Sequence, residues 1–298
     1  MRKQSRYILL VLLLSLAAVT DCRRINDPPQ PDTSIDFEAC VAGPSSATFD
    51  IVTFNAETFP KNGQESVYAM ADLLSDLDAD IIALQEVASK VDFDQLDNLL
   101  RNYRGIFYPV DNDDWNLAYL YKPSEVTIDL DETKILFEDN WSAFPRPPFE
   151  IHATHTTTGI GVVIINNHLK CCGGTDNEER RRTASDMLHQ YAEDTYPDRP
   201  LVILGDLNDE IAGTTEQENV FWSFVNDPGD FLFADMEIAT GSATWWSYPS
   251  WPSHIDHIII SDELFQRLDE TRVFKPDACY SLYPDMISDH RPVYIRLK

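Results

Sequence analysis

Side chains that can bind a cation or move a proton recur where apolar runs of the sequence begin or end. The set comprises Asn55, Glu86, His168, Asp206 with Asn208, Asp256, and Asp289 with His290. Carboxylates and carboxamides are hard oxygen ligands of the kind Mg²⁺ prefers, and histidine holds or transfers protons near neutral pH. Each residue alone has an ordinary explanation, such as a helix cap or a polar turn. Together they predict a metal-assisted hydrolase.

The apolar runs between these residues predict alternating strands and helices. Short buried strands are predicted at 51–54, 81–84, 117–121, 162–165, 201–204, 257–260 and 293–297. Helical spacing of apolar residues predicts helices around 67–77, 96–100 and 177–193. Because the pattern shows no repeat and no second zone of composition, residues 50–298 are expected to form one layered domain, with sheets inside and helices outside.

The charge balance limits which partners the surface can attract. The 298 residues carry 23 basic and 50 acidic side chains, a formal net charge of −27. Such a surface repels polyanions, which disfavours a broad, charge-driven grip on nucleic acid. A substrate that bears phosphate would therefore need local neutralisation by bound cations.

The N-terminus has the form of an export signal. Basic residues precede an apolar stretch from Tyr7 to Val19, which is too short to span a bilayer comfortably. We therefore predict a signal peptide over residues 1–21 and a tether over residues 22–49, with no transmembrane segment in the mature chain. Cys22 stands where a bacterial lipoprotein carries its lipid, although Asp21 departs from that pattern. The protein is thus expected to be exported, with periplasmic, outer-membrane-anchored and extracellular locations left open.

Export permits disulfide bonds. Besides Cys22, the chain contains Cys40, Cys171, Cys172 and Cys279. Four cysteines allow three pairings, and the sequence does not choose among them.

Six short strings give these residues a common context. In chain order they are T-F-N-A-E-T-F, A-L-Q-E-V, N-N-H-L, L-G-D-L-N-D, I-D-H-I-I-I-S and S-D-H-R-P-V. In this order and spacing they resemble the endonuclease/exonuclease/phosphatase superfamily of metal-dependent phosphoesterases, from about Asp50 to Lys298. The resemblance implies an α+β fold, a four-layer α/β sandwich in which two packed mixed β-sheets are flanked by helices.

The resemblance also implies a role for each matched residue. Glu86, Asn55 and Asp289 would form the metal site, with Mg²⁺ expected and Mn²⁺ or Ca²⁺ as alternatives. The catalytic group would comprise His168, Asp206, Asn208, Asp256 and His290. Asp256 would orient His290, as carboxylates do for catalytic imidazoles. Which histidine serves as acid and which as base differs among members and stays open here.

The substrate is less constrained by the sequence. Residues near the motifs that could contact it are Lys170, Trp245, Trp246 and His254, although core packing explains the tryptophans equally well. Glu57 and His254 stand where nuclease members commonly have arginine, which removes positive charge from the expected cleft. The Arg180–Arg182 run fits a solvated helix face better than a phosphate site. Asp113 and Asp114 are loose candidates for orienting a histidine.

Three functions remain in competition at this stage. The favoured one is an exported, monomeric phosphodiesterase that hydrolyses nucleic acid by in-line water attack. The alternatives are a phosphatase or phospholipase-type member that acts on inositol phosphates or phospholipids, and a non-catalytic binding protein on the same fold. The complete set of motif residues argues against the binding protein, because binding alone does not require all of them.

Overall fold

The structure is a computed structural model that describes residues 34–45, 47–109 and 115–298. The predicted signal peptide, Cys22 and the candidates Asp113 and Asp114 lie outside these residues. Within the described part, no helix is both long and apolar enough to cross a membrane.

The described residues form twelve strands and seven α-helices. The strands are β1 Phe49–Phe59, β2 Ile81–Val87, β3 Arg104–Tyr108, β4 Asn116–Tyr121, β5 Val126–Ile135, β6 Phe149–His155, β7 Gly161–His168, β8 Leu201–Asp206, β9 Phe231–Phe233, β10 Asp256–Ser261, β11 Leu268–Val273 and β12 Val293–Leu297. The helices are α1 Glu38–Val41, α2 Gln64–Leu77, α3 Lys90–Leu99, α4 Thr175–Thr195, α5 Trp222–Val225, α6 Met236–Ala239 and α7 Tyr283–Met286. Short 3₁₀ turns occupy Ala243–Trp245, Asp262–Leu264 and Pro276–Ala278.

The strands build two mixed six-stranded sheets. Their orders are β11-β12-β1-β2-β4-β3 and β5-β6-β7-β8-β10-β9. One apolar cluster fills the space between the sheets, a second joins the first sheet to α2 and α3, and a third joins the second sheet to α4. This is the four-layer sandwich that the sequence predicts.

The central strands are apolar on both faces because both faces are covered. In β8, Val202 and Leu204 face the other sheet, whereas Leu201 and Ile203 face the α4 layer. Each layer removes a further set of side chains from water, at roughly 25 cal/mol per Å² of apolar surface. Fully covered strands therefore show continuous apolar runs rather than alternation.

The packed domain begins before Asp50. Phe37 and Val41 are fully buried against the α2 layer. Carboxylates of α2 accept from the backbone N–H groups of Ile35 and Phe37, and Cys40 forms a disulfide with Cys279. The later part of the predicted tether is thus part of the fold.

Strand pairing brings the motif residues to one edge of the sandwich. β7 and β8 are parallel and place His168 opposite Asp206. β10 runs antiparallel to β8, so its first residue, Asp256, also lies opposite Asp206. In the other sheet β1 and β2 are parallel. Asn55 pairs with Gln85, which is the residue before Glu86.

Candidate active site

Asn55 joins carboxylates that come from the two different sheets. Its amide nitrogen donates to Asp206 Oδ2 at 2.8 Å and to Glu86 Oε1 at 3.1 Å. His168 Nε2 lies 3.7 Å from both carboxylates. The Asn55 oxygen accepts from the backbone N–H of Glu57, so the whole amide is held in place where it positions Glu86 and Asp206. A carboxamide oxygen has two lone pairs, so the predicted place of Asn55 in the metal site is compatible with these bonds.

A histidine–carboxylate pair forms the second half of the site. His290 Nδ1 donates to Asp256 Oδ2 at 2.8 Å, and both side chains are buried. This bond fixes the ring orientation and leaves Nε2 on the side of Asp289, whose Oδ1 is 3.8 Å away. Ser288 holds the segment in place by donating to the Asn55 carbonyl and accepting from the His290 N–H. The pairing predicted for Asp256 and His290 is therefore present.

The crowding of acidic groups alters their protonation. Burial, and then repulsion from Asp256, raises the pKa of Asp206 to about 7. Burial also raises the pKa of Asp289 to about 6, against the opposing effect of His290. Burial disfavours a charged His290, but the neighbouring carboxylates, Asp256 first, outweigh it and raise its pKa to about 10.

His168 behaves in the opposite way to His290. Burial, followed by the positive charge of Arg146, places the pKa of its ring well below the usual range. Its Nδ1 has no hydrogen-bond partner. Near neutral pH the two site histidines therefore differ in charge: the shifted pKa values favour a cationic His290 and a neutral His168.

A buried polar network supports the site from below. Gln85 donates to Asn166 Oδ1 at 2.7 Å across the sheets, and Asn166 donates to the carbonyl of Leu84 at 3.0 Å. Gly205, in the left-handed region at φ +142°, packs on the backbone of β7, where an added Cβ would lie 1.9 Å from the Asn167 oxygen. These contacts fix the β7–β8 end that carries His168 and Asp206.

Several backbone conformations at the site are ones that L-residues rarely adopt. Glu57, Thr58, Glu86 and Asn208 have φ values of 43°, 56°, 57° and 58°. Such conformations cost on the order of 1–3 kcal/mol each and tend to collect at functional sites. Two of the four, Glu86 and Asn208, are predicted site residues, so the strained backbone lies at the predicted site.

The converging groups line one cleft of about 330 Å³. Six of the predicted site residues line it, namely Glu86, His168, Asp206, Asn208, Asp289 and His290, and its walls also include Trp115, Arg146, Tyr248, Cys171 and Cys172. The Arg146 guanidinium carbon lies 4.5 Å from the centre of the Trp115 ring, and the Tyr248 ring lies 4.8 Å from that of His290. A larger groove of about 510 Å³ runs along α4, but no motif residue lines it.

The predicted substrate-contacting residues are placed differently. Lys170 extends its amine to 3.5 Å from Cys171 Sγ, beside the cleft. Trp245 is half exposed under the Lys275 amine, and Trp246 donates to the Ile238 carbonyl. None of these three lines the cleft.

His254 points into the protein rather than toward a substrate. It is buried, and its Nε2 lies 2.9 Å from Asp235 Oδ2, which also accepts from His257 at 2.6 Å. Its Nδ1 accepts from the N–H of Ser247, whose hydroxyl accepts from the N–H of Asp256. His254 therefore supports the loop behind the Asp256–His290 pair.

Sequence reasoning did not single out Arg146 and Trp115. Arg146 lies in a loop without the apolar run that marks a strand end, and Trp115 precedes β4 directly but is not one of the metal-binding or proton-transferring residue types. The signal that could have found Arg146 is its place in the segment F-P-R-P-P-F, where a lone arginine stands among residues that bury their surface.

Comparisons with known proteins agree with this architecture. TDP2 from D. rerio in complex with a single-stranded DNA product matches 84% of this chain and 99% of its own, with 13% identity and a TM-score of 0.64. The human Nocturnin catalytic domain with bound sulfate matches 85% and 94%, with 17% identity and a TM-score of 0.62. A mannosyl-6-phosphatase from Bacteroides thetaiotaomicron matches 84% and 99%, with 17% identity and a TM-score of 0.61. At these identities the likeness shows the fold alone.

A comparison with curated proteins gives no match. The family model described as Endonuclease/Exonuclease/phosphatase family matches residues 52–290, which is most of the chain and includes every predicted catalytic and metal-site residue from Asn55 to His290. The chain therefore belongs to the endonuclease/exonuclease/phosphatase family.

Proposed function

We propose that the protein is an exported, divalent-metal-dependent phosphodiesterase whose favoured substrate is nucleic acid. The observation that carries this proposal is the convergence of Glu86, Asp206 and His290 in one cleft, although they are spread over some two hundred residues. A binding protein would not need buried, strained carboxylates beside an oriented histidine.

The residues present fit a hard divalent cation. Oxygen atoms of Glu86 and Asp206 and a ring nitrogen of His168 lie within 4.8 Å of one another, and Asp289 Oδ1 is buried without a hydrogen-bond partner. The four carboxylates that line the cleft, Glu57, Glu86, Asp206 and Asp289, suit Mg²⁺, with Mn²⁺ or Ca²⁺ as alternatives. Glu86 and Asp206 would hold the ion, with Asp289 beside His290. When bound, the cation would neutralise charge on the phosphate oxygens.

The chain itself would orient the reactants and place the proton. Asp206 would accept the proton that the attacking water loses, and Asn208 would donate to a phosphate oxygen. The water oxygen would form a bond to phosphorus while the bond from phosphorus to the leaving oxygen breaks. His290 Nε2, positioned by Asp256, would stabilise charge on the phosphate or give its proton to the leaving oxygen.

The cleft walls favour a small, aromatic-bearing phosphodiester over a long duplex. Trp115 and Tyr248 offer rings on which bases can stack, worth about 1–3 kcal/mol per base. Arg146 is the single lysine or arginine that lines the cleft in the described residues, and the net charge of −27 opposes a long polyanion. We therefore favour a dinucleotide or a short single strand.

Export would place this activity outside the cytoplasm. Residues 1–21 are proposed to act as a signal peptide, with a lipid anchor at Cys22 as an option. A location in the periplasm, on the outer membrane or outside the cell would suit a monomeric enzyme that releases phosphate or nucleotides for uptake.

Turnover of a simple phosphodiester tests the proposal. Purified protein should hydrolyse bis(p-nitrophenyl) phosphate with Mg²⁺ or Mn²⁺, and EDTA should stop it. Asp206→Ala and His290→Ala should remain folded and lose activity, whereas Glu178→Ala, an exposed carboxylate on α4, should match the parent. No turnover with any divalent cation would defeat the proposal.

A second assay identifies the substrate. Single-stranded DNA, RNA, plasmid DNA, phospholipid vesicles, inositol phosphates and sugar phosphates are compared under the same conditions. We expect the highest kcat/KM on short single strands. Preference for a phosphomonoester would identify a phosphatase instead.

A further inference from the structure

Two adjacent thiols form part of the catalytic cleft wall. Cys171 and Cys172 line the cleft that holds His168 and Asn208, and their sulfur atoms are 2.8 Å apart. Cys171 is partly buried and Cys172 is exposed, so solvent reaches the pair. The other two cysteines in the described residues are joined to each other in a disulfide. Among the described residues, Cys171 and Cys172 are thus the two free thiols, and each is the other's partner for a disulfide.

We propose that Cys171 and Cys172 form a reversible oxidation site in the cleft wall, at which the neighbouring thiols close to a disulfide. A low-molecular-weight disulfide such as oxidised glutathione is the oxidant. Both Sγ–H bonds are lost and one Sγ–Sγ bond forms. The two electrons and two protons pass to the reagent, whose own disulfide breaks into two thiols.

Adjacency makes such a bond easy to reduce again. Successive Cα atoms are about 3.8 Å apart across a trans peptide, below the about 4.4–6.8 Å that disulfides usually span. Strained and exposed disulfides are the labile, regulatory ones. The local chain can accommodate closure, because Cys172 already has a φ of 77° and an added Cβ at Gly173 or Gly174 would meet nothing within 4 Å.

The pair is mechanically connected to the catalytic residues. Arg181 donates to the carbonyls of Lys170 and Cys172, at 2.7 and 3.0 Å, which flank Cys171. The same guanidinium donates to Asp209 Oδ2 at 2.8 Å. Asp209 is the residue after Asn208, which lines the cleft. Closing the ring rotates the Cys171–Cys172 peptide, which lies between the two carbonyls that Arg181 holds, and so shifts the wall against Asn208.

Oxidation should therefore lower turnover, an effect that rests on the proposed phosphodiesterase function. Misplacing a catalytic group by about 1 Å can cost on the order of 100-fold in rate. Here the displaced groups form the wall rather than the reacting centre, so we expect a loss of about tenfold in kcat/KM. Adding a thiol reductant should restore the rate.

The test uses the full chain and two readouts. Protein is treated with oxidised or reduced glutathione in mildly alkaline buffer, because contact with Cys171 raises the pKa of the Cys172 thiol. Peptide mapping then detects the bridge, and hydrolysis of bis(p-nitrophenyl) phosphate gives kcat/KM. The double variant Cys171→Ser/Cys172→Ser is the matched control, since it keeps the bridge between Cys40 and Cys279.

The expected result is a bridged Cys171–Cys172 peptide, an approximately tenfold slower enzyme and no response in the double variant. Free thiols after oxidation would overturn the inference even if the enzyme is active. So would a bridge that leaves kcat/KM within twofold. If no state turns over phosphoesters, the proposed function fails, and the peptide map still decides whether the oxidation site exists.

Discussion

The substitution Asp256→Asn separates the electrostatic role of Asp256 from its shape. Asp256 is fully buried and accepts from His290 Nδ1 at 2.8 Å. An amide of the same size keeps the packing but removes the negative charge. The ring should then lose its preference for carrying a proton, which the charge of Asp256 provides.

The structure indicates how much the charge matters. The pKa of His290 is about 10 against an ordinary 6.5, despite the opposing effect of burial. At about 1.4 kcal/mol per pKa unit, the difference is worth on the order of 5 kcal/mol, and Asp256 is the largest favourable contributor. Loss of a carboxylate that orients a catalytic histidine typically costs on the order of 10²- to 10⁴-fold. We expect kcat/KM of Asp256→Asn to fall within that range.

The assay compares kcat/KM for bis(p-nitrophenyl) phosphate across pH. The alkaline limb of the profile should move to lower pH in Asp256→Asn, because His290 loses its proton earlier. Asp227→Asn is the matched control. Asp227 Oδ2 lies 3.0 Å from His189 Nε2, and neither residue lines the cleft. A variant within threefold of the parent, alongside an inactive His290→Ala, would show that Asp256 does not act on the histidine as argued.

Three further predictions concern stability. Gly205→Ala should cost about 3 kcal/mol or more in the free energy of unfolding, because the new Cβ would overlap the backbone of β7; a loss under 1 kcal/mol in urea titration would contradict this. The double change Cys40→Ser/Cys279→Ser, which opens a bridge between residues 239 apart, should cost about 2–5 kcal/mol under non-reducing conditions, and an unchanged Tm would count against it. Asp235→Asn should cost about 3–5 kcal/mol. Although burial opposes both shifts, mutual attraction lowers the pKa of Asp235 and raises that of His257. The loss should therefore be largest between about pH 4 and 6.5, shrinking below as Asp235 gains a proton and above as His257 loses one. A Tm difference independent of pH would refute the pairing.

The sequence predicts the central strands of the fold and misses the edges. Seven of the twelve strands were predicted, and β3, β5, β9 and β11, which are all four edge strands, were not. Edge strands are half exposed, so they lack the apolar run that identifies a buried strand. The fifth missed strand, β6, is central, but it contains Glu150 and His152. Glu150 can be buried because Tyr191 and Tyr196 donate to it and the Lys134 amine lies 3.2 Å from its Oε1.

The site, like the fold, contains residues that the sequence predicts and residues that it does not. Residues at strand ends could be predicted because the register of the sheets fixes where they meet. Contacts that depend on loop conformation could not. His254 was predicted to face the substrate but bonds within the core, and Arg181, expected on a solvated face, is buried against Asp209. Arg146 and Trp115 reach the cleft from loops whose paths no local pattern encodes.

The acidity of the protein and its proposed anionic substrate are compatible because the relevant field is local. Folding forces Asp206 and Asp256 together at the edge of one sheet, and Asn55 holds Glu86 beside them. The raised pKa of Asp206, about 7, shows that its ionised form is costly in this position. A divalent cation would remove that cost and would also supply the positive charge that a phosphate requires. On the proposed function, the crowding that opposes stability is thus the feature that would favour cation binding, and with it phosphate binding, in a chain of net charge −27.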